Sequence, residues 1–145
     1  MPGTALGQIL STTSLYTAAE IESLVGTTIL STTTGIDALV ATTTNLYTAP
    51  GGGNGVVVTG AVIRVTAISG GGSKPRLGIG IAAGEDGIFF PETLVGMDAT
   101  TKVYVFASER TLVRAAPNDI IKLGIDNAAT YATYTIAVDL FGYKL

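Results

Sequence analysis

The length, composition and charge of the chain set the first limits on its structure and function. It has 145 residues, of which 47% are hydrophobic and only 13% charged, with a net charge of −3, no cysteine and no histidine. This length predicts one hydrophobic core. The absence of both residue types excludes disulfides, thiolate catalysis and ordinary zinc or haem ligation.

The distribution of basic residues argues against two kinds of partner. The eight Lys and Arg residues are scattered singly, whereas nucleic acids and anionic membranes attract clustered cations. We therefore expect neither nucleic-acid nor membrane binding. No apolar stretch reaches the roughly 18 residues that span a bilayer, and Met1-Pro2-Gly3-Thr4 does not resemble the start of a secretory signal. Synthesis in a cytoplasm without ordinary secretion is the expectation.

The low charge also predicts self-association. The charged share is about half of the roughly 25% that is typical of soluble domains, and a soluble monomer usually carries more charge on its surface. We therefore expect part of the surface to be buried against other copies or another protein, with a dimer or trimer in solution.

The N-terminal residues 1–25 are predicted to form an arm with a short helix. The helix is expected over Thr17–Leu24, because Thr17 can cap it, Glu20 follows at the spacing of a capping box, and Gly26 can end it. Such an arm can dock on a neighbouring subunit. A partly disordered terminus is the alternative.

Two short segments of the arm recur further along the chain. Ile-Leu-Ser-Thr-Thr stands at Ile9–Thr13 and again at Ile29–Thr33, and Leu-Tyr-Thr-Ala stands at Leu15–Ala18 and again at Leu46–Ala49. Biased composition explains such a match, and a small duplicated strand unit is the alternative.

Residues 26–145 are predicted to form one all-β domain. Threonine is abundant and β-branched, and glycines separate the apolar runs, which favours strands joined by turns. Ala49–Gly55 and Ser69–Pro75 are expected loops, Glu85-Asp86-Gly87 a turn, and Pro91–Thr100 irregular. The candidate strands are Thr27–Ser31, Ile36–Thr42, Val56–Ile68, Arg76–Ala83, Ile88–Phe90, Lys102–Ser108, Thr111–Ala115, Ile120–Asp126 and Tyr131–Tyr143.

Alternation of apolar and polar residues indicates how these strands are buried. Ala61, Ile63 and Val65 are apolar at every second position, while Arg64 lies on the opposite face, and Gly60 is a possible bulge. The whole pattern predicts an antiparallel β-sandwich, jelly-roll-like, of about eight strands.

Candidate catalytic and metal-binding residues are few. Glu85 or Asp86 could pair with Glu92 as the two carboxylates of a glycosidase, but Glu-Asp-Gly is also a standard turn composition. Loops with acidic or amide oxygens could bind calcium, although none has the spacing of a known calcium loop. These loops hold Glu85, Asp86, Asp98, Asn118, Asp119 and Asp126-Asn127. We predict no catalytic, cofactor-binding or metal-binding residue, and no enzyme activity.

The tyrosines allow two interpretations. Six tyrosines could form a stacking platform for sugars, or they could pack in the core and at subunit contacts, which the sequence favours. They are Tyr16, Tyr47, Tyr104, Tyr131, Tyr134 and Tyr143.

The C-terminal third resembles a known class of protein. Ala115–Ile125 places an Asp-containing turn before a strand, and Thr133–Tyr143 is a Thr-rich strand with an aromatic-Gly-aromatic end. Both are similar to the closing strands of the small jelly-roll head decoration, or cement, proteins of tailed phages. Leu46–Pro50 followed by Val56–Val58 also resembles phage structural proteins.

This resemblance implies a virion role without catalysis. The chain would be made in the host cytoplasm, bind the major capsid protein on the outer capsid surface, and reinforce the shell through many weak contacts that sum over a lattice. A tail or fibre module, or a lectin-like module, that binds host carbohydrate is the alternative. A carbohydrate-binding module attached to an enzyme is a weaker one. Carbohydrate recognition predicts exposed aromatics in a groove, whereas decoration predicts a flat, mostly apolar and Thr-rich face.

Overall fold

The computed structural model describes residues 28–81, 84–107 and 113–145. This part of the chain contains nine antiparallel strands and no helix. They are β1 (Thr28–Asp37), β2 (Thr43–Thr48), β3 (Val56–Ser69), β4 (Arg76–Ile81), β5 (Gly84–Thr93), β6 (Val103–Ala107), β7 (Val113–Ala115), β8 (Ile120–Asn127) and β9 (Thr133–Lys144). The predicted arm at residues 1–25, with its helix at Thr17–Leu24, lies outside the described residues.

The strands form two sheets that share one core. Sheet I has the order β1-β9-β3-β6, with β7 also paired to β3, and sheet II has the order β2-β8-β4-β5. Residues from both sheets meet in a single buried cluster. This arrangement confirms the prediction of an all-β sandwich.

Alternation decides which side chains enter the core. Along β9, Tyr134, Ile136, Val138 and Leu140 are all completely buried. On β3, every second residue from Ala61 to Val65 is buried in the same way. The register of β3 against β9 shifts between Val58 and Gly60, where the sequence predicted a bulge. The alternation of the longest strands was therefore predicted correctly.

The start of the sandwich differs from the prediction. The candidate strands Thr27–Ser31 and Ile36–Thr42 are replaced, within the described residues, by one strand, β1, which ends at Asp37. An Oδ1 atom of Asp37 accepts a hydrogen bond from the backbone N–H of Leu39 at 2.9 Å, which turns the chain. The prediction of a strand through Thr42 was wrong, and β2 follows the turn instead.

The middle of the chain holds the second correction. The backbone of Glu85-Asp86-Gly87, predicted as a turn, lies within β5, which runs to Thr93 and so also takes the start of the segment predicted as irregular. Pairing with β4 explains the strand, since Arg76 lies opposite Thr93 and Leu77 opposite Glu92. Pro91 is tolerated because β5 is an edge strand of sheet II.

A close approach between loops requires one glycine. Gly55 has a φ of 90°, and a Cβ atom there would lie 2.0 Å from the carbonyl oxygen of Ala115. The backbone N–H of Leu145 donates to the Gly55 carbonyl at 2.9 Å. The glycine-rich loop, β7 and the C-terminal residue thus meet at one end of the sandwich. Among the described residues, no helix is long and apolar enough to cross a membrane.

Candidate interaction surface

The outer face of sheet I carries large apolar side chains in contact with solvent. Directly opposed residues of antiparallel strands point to the same side of a sheet. Three rows of opposed residues therefore lie on this face: Ile29–Phe141–Gly60–Ala107, Thr32–Asp139–Val62–Val105, and Ala137–Arg64–Val103. We call the surface formed by Ile29, Val62, Val103 and Val105, with the aromatic Phe141 beside them, the aliphatic face.

Exposure distinguishes this face from an ordinary surface. The side chains of Ile29, Val103 and Val105 are 56%, 57% and 60% exposed, while Val62 and Phe141 are half-buried. On β6, Tyr104 and Phe106 alternate with Val103 and Val105 and face inward, and Phe106 is buried. Both alternating sets of β6 are thus apolar, a pattern typical of strands that are covered on both faces. The core of the molecule covers one of those faces.

An ion pair stands in the middle of the aliphatic face. The Arg64 guanidinium binds both carboxylate oxygens of Asp139, with Nε–Oδ2 at 2.9 Å and an Nη2–Oδ1 distance of 3.2 Å. The Thr32 hydroxyl donates to Asp139 Oδ1 at 2.9 Å. Desolvation raises the pKa of Asp139, but the hydrogen bonds from Arg64 and Thr32, with the charge of Arg64, outweigh it and hold that pKa below its ordinary value. The carboxylate is therefore charged and fully partnered.

A groove lies beside this face, between the edges of the two sheets. It has a volume of about 390 Å³. Its lining residues come from β5 and β6: Ile88, Phe89, Phe90, Glu92, Val105, Phe106 and Ala107. Val105 belongs both to the aliphatic face and to this lining, so the two features are continuous along β6. We call this feature the edge groove.

Aromatic contacts and one hydrogen bond hold the two edges together at the groove. The rings of Phe89 and Phe106 lie 5.6 Å apart across the two sheets, and Phe106 also packs on Tyr104 of its own strand at 5.3 Å. The Tyr104 hydroxyl donates to the carboxylate of Glu92 on the opposite sheet. This hydrogen bond, with desolvation and the charge of Glu92, raises the pKa of Tyr104 to about 12. The phenol is therefore a stable neutral donor.

Two further apolar residues are strongly exposed. Phe90 on β5 is 77% exposed and Val95, just beyond β5, is 76% exposed. Phe90 contributes to the lining of the edge groove. Sequence analysis did not single out either residue. The signal available for Phe90 was its place next to Phe89, because adjacent strand residues point to opposite faces and only one of two rings can enter the core.

The carboxylates considered for catalysis or calcium have separate partners. Asp98 pairs with Lys102 at 2.6 Å and Asp126 with Arg76 at 3.0 Å, while Asp119 accepts the backbone N–H of Ala116. Within the described residues, no group of three or more acidic side chains could hold a metal ion. The side chains of Glu85 and Asp86 lie outside the description, and Glu92 binds Tyr104.

The tyrosines are spread over both sheets. Tyr134 is completely buried, and its hydroxyl donates to the Met97 carbonyl at 2.6 Å. The Tyr131 ring packs edge-on against Tyr134 at 5.1 Å. Tyr47 is a half-buried residue of β2 that packs against the core. This distribution is typical of packing residues and gives little support to a sugar-stacking platform. Tyr16 lies outside the described residues.

The fold is shared with chains of two phage capsid structures. One is a chain of the cyanophage Pam1 capsid asymmetric unit, with 17% sequence identity, a TM-score of 0.54 and 100% of both chains covered. The other belongs to the acidic stable capsid structure of Helicobacter pylori bacteriophage KHP30, with 13% identity, a TM-score of 0.51, and 79% of this chain and 90% of that chain covered. No model of a protein family matches the sequence, and no curated protein matches it. At these identities the likeness shows a common fold.

Proposed function

We propose that the chain is a structural virion protein that decorates and reinforces a phage capsid. It binds the major capsid protein on the outer surface and also associates with its own copies. The observation that carries this proposal is the aliphatic face, on a fold that occurs in two phage capsid structures. The strand order β1-β9-β3-β6 over β2-β8-β4-β5 also matches the order expected of a jelly roll, an architecture common in viral capsids.

The chemistry of the aliphatic face suits lattice binding. Exposed Ile29, Val103 and Val105 are uncharged and β-branched, so they lose little side-chain entropy when a partner covers them. Each contact is weak alone, but many copies on one shell add their contacts to high avidity. The Arg64–Asp139 pair already has its charges satisfied within the molecule, so a partner need not supply counter-charges. Catalysis forms no part of this function.

A matched pair of variants tests the role of this face. Ile29→Glu places a charge on edge strand β1, on the aliphatic face, and Asn45→Glu places the same charge on edge strand β2 of sheet II. Both positions are exposed, so the free energy of unfolding should change by less than about 1 kcal/mol in each. Capsids purified without this protein are mixed with each variant and sedimented.

The expected result is saturable binding at a fixed stoichiometry for the wild type and for Asn45→Glu. Ile29→Glu should bind at least about tenfold more weakly, because a buried unpaired charge costs more than about 1.4 kcal/mol, the equivalent of a tenfold change. Equal binding of both variants would exclude the aliphatic face as the contact. Absence of saturable binding by the wild type would exclude decoration.

Carbohydrate recognition remains a second candidate because of one observation. Phe90 is 77% exposed beside a groove that also contains the carboxylate of Glu92, and sugar sites combine an aromatic ring with polar groups. A tail, fibre or lectin-like module would bind glycans on an array and lose that binding in Phe90→Ala. A decoration protein would show no glycan binding in either form.

A further inference from the structure

β6 is an edge strand with none of the usual protection against pairing. Within the described part of the chain, β3 is the one strand that pairs with it. Its sequence, Val-Tyr-Val-Phe-Ala, contains no charge, no proline and no glycine, and Val103 and Val105 are more than half exposed. Soluble proteins normally guard such an edge with charges, proline or bulges. An unguarded edge of this composition is expected to be covered by another strand.

The neighbouring free edge shows what such protection looks like. β5 is the edge strand of sheet II on the same side of the sandwich, and it contains Pro91 and Glu92. Proline removes a backbone donor, and a charge opposes burial in a growing sheet. The pairing between β4 and β5 is also interrupted by two register shifts. The contrast indicates that β6, and not β5, is suited to accept a strand.

A five-residue segment of the edge strand β1 has an identical copy elsewhere in the chain. Ile29–Thr33 forms part of β1 and pairs with β9, where Ile29 lies opposite Phe141 and Thr33 opposite Val138. The same five residues, Ile-Leu-Ser-Thr-Thr, stand at Ile9–Thr13. β9 presents Phe141, Leu140 and Val138 to this segment, together with Asp139 opposite Thr32, and β6 likewise presents aromatic and aliphatic residues but no charge. A sequence that pairs at one edge of sheet I is therefore suited to the other edge.

We propose that Ile9–Thr13 of one copy adds to the free edge of β6 of a second copy. This proposal rests on the self-association included in the proposed function and goes beyond it by naming the donor segment and the acceptor strand. Strand addition of this kind gains affinity from backbone hydrogen bonds and specificity from alternate side chains. It would also cover part of the aliphatic face at Val103 and Val105.

Geometry favours a second copy over the same chain. Residues 14–27 connect the donor segment to β1, which lies at the edge of sheet I opposite to β6. A connection within one copy would have to cross the whole outer face of sheet I. A neighbour placed side by side brings its β6 next to β1, and residues 14–27 span up to roughly 50 Å when extended. Donor and acceptor are different surfaces, so the contact is head-to-tail and can close into a ring.

The absence of cysteine makes cross-linking a direct test. Thr12 occupies the place in the repeat that Thr32 holds in β1, and Thr32 lies on the outer face in the row that contains Val105. Opposed residues of paired strands have the Cα separation that a disulfide needs. Thr12→Cys is therefore combined with Val105→Cys, or with Val103→Cys for a register shifted by two residues. Thr12→Cys with Asn45→Cys on β2 is the control.

Full-length double variants are oxidised in the absence of capsids and separated by size under denaturing conditions. The proposal predicts covalent multimers for an acceptor cysteine on β6 and at least tenfold less product for the Asn45 control. A cross-linked monomer would overturn the assignment to a second copy. Absence of cross-linking on β6, or equal cross-linking in the control, would overturn strand addition.

Hydrogen exchange provides a test that needs no new cysteine. Leu10→Asp changes the residue that corresponds to Leu30, which packs against the core, and leaves the length of the chain unchanged. The amides of β6 should exchange at least tenfold faster in this variant than in the wild type, while those of β4 keep their rates. Equal rates on β6 would contradict the proposal. Because no capsid is present, failure of this test and failure of capsid binding are separate results.

Discussion

The outer face of sheet I and the outer face of sheet II differ in the residues that alternate with the buried ones. On sheet I they include large exposed aliphatic residues around one ion pair. On strands β2, β8 and β4 of sheet II they are small or polar, and the large exposed apolar residue of that sheet, Phe90, lies on its edge strand β5. The rows of opposed residues on sheet II are Thr43–Gly124–Gly78 and Asn45–Lys122–Gly80.

This difference is not required by the fold. Both sheets bury one alternating set of residues in the same core, and either outer face could be polar without weakening that core. Aliphatic side chains left in water add nothing to the folding of an isolated chain, whereas their burial by a partner gains about 25 cal/mol for each Å². The difference between the two faces therefore supports the proposal that a partner covers sheet I and that sheet II faces solvent.

The largest expected effect tests the alternation itself. Ile63 on β3 is completely buried, and its neighbour Val62 points outward and is half-buried. Ile63→Ala should lower the free energy of unfolding by about 2–5 kcal/mol, because it removes buried methyl groups and leaves a cavity. Val62→Ala should cost less than about 1 kcal/mol. Denaturant unfolding of both variants measures the difference, and similar costs would show that the two faces of β3 have been wrongly distinguished.

Strands with regular alternation were predictable from sequence, and the aliphatic face was not. β3 and β9 carry aliphatic residues at every second position over long runs, so their buried sides follow from local order. The aliphatic face combines residues of β1, β3, β6 and β9, far apart in the chain. Only the pairing of those strands brings Ile29, Val62 and Val105 to one surface. A flat apolar contact face was expected, but its members were not.

The strand that sequence analysis missed, β2, and the strand whose ends it misplaced, β5, depend on their neighbours. β2 begins within a run of threonines, and only Leu46 is buried among its residues, so its pattern is weak. It is a strand because it pairs with β8. β5 contains Glu85-Asp86-Gly87 and Pro91, which locally favour turns, yet pairing with β4 extends it through both. In each case a non-local ladder overrides a local preference.

An effect of intermediate size concerns the hydroxyl groups that hold the sheets in place. The pKa of Tyr104 is raised to about 12 by its hydrogen bond to Glu92, and burial raises the pKa of Tyr134 to about 12. The folded-state pKa of each tyrosine lies above the unfolded value of about 10. The stability that each hydroxyl contributes is therefore fully present below about pH 10 and is lost as the pH rises through about 12. Ultraviolet titration of tyrosinate should show Tyr104 and Tyr134 titrating late.

Single substitutions separate the two tyrosines. Tyr134→Phe should cost about 1–3 kcal/mol, because the buried Met97 carbonyl loses its donor, and Tyr104→Phe should cost less because its hydrogen bond is exposed. Each variant should remove one late-titrating group. If neither variant removes a late-titrating group, the Tyr104 and Tyr134 hydroxyls do not form these hydrogen bonds in solution.

The smallest effect compares the ion pairs of the two outer faces. Arg64 and Asp139 form a bidentate pair in which Asp139 is largely covered, whereas both side chains of the Arg76–Asp126 pair are about half exposed. Exposed pairs contribute about 0–1 kcal/mol, so Arg76→Met should change the thermal midpoint little. Arg64→Met should lower it more at pH 7, because it leaves the Asp139 carboxylate without its cation.

The dependence on pH identifies the cause of that difference. The folded-state pKa of Asp139 lies below the unfolded value of about 3.9, so the contribution of its pair is present above pH 3.9 and is lost as the pH falls through the folded-state pKa. The gap between wild type and Arg64→Met should therefore close in acid. A gap that persists there would mean that Arg64 acts through the packing of its aliphatic stem. The centre of the aliphatic face would then be stabilised by apolar contacts of Arg64 and not by its ion pair with Asp139.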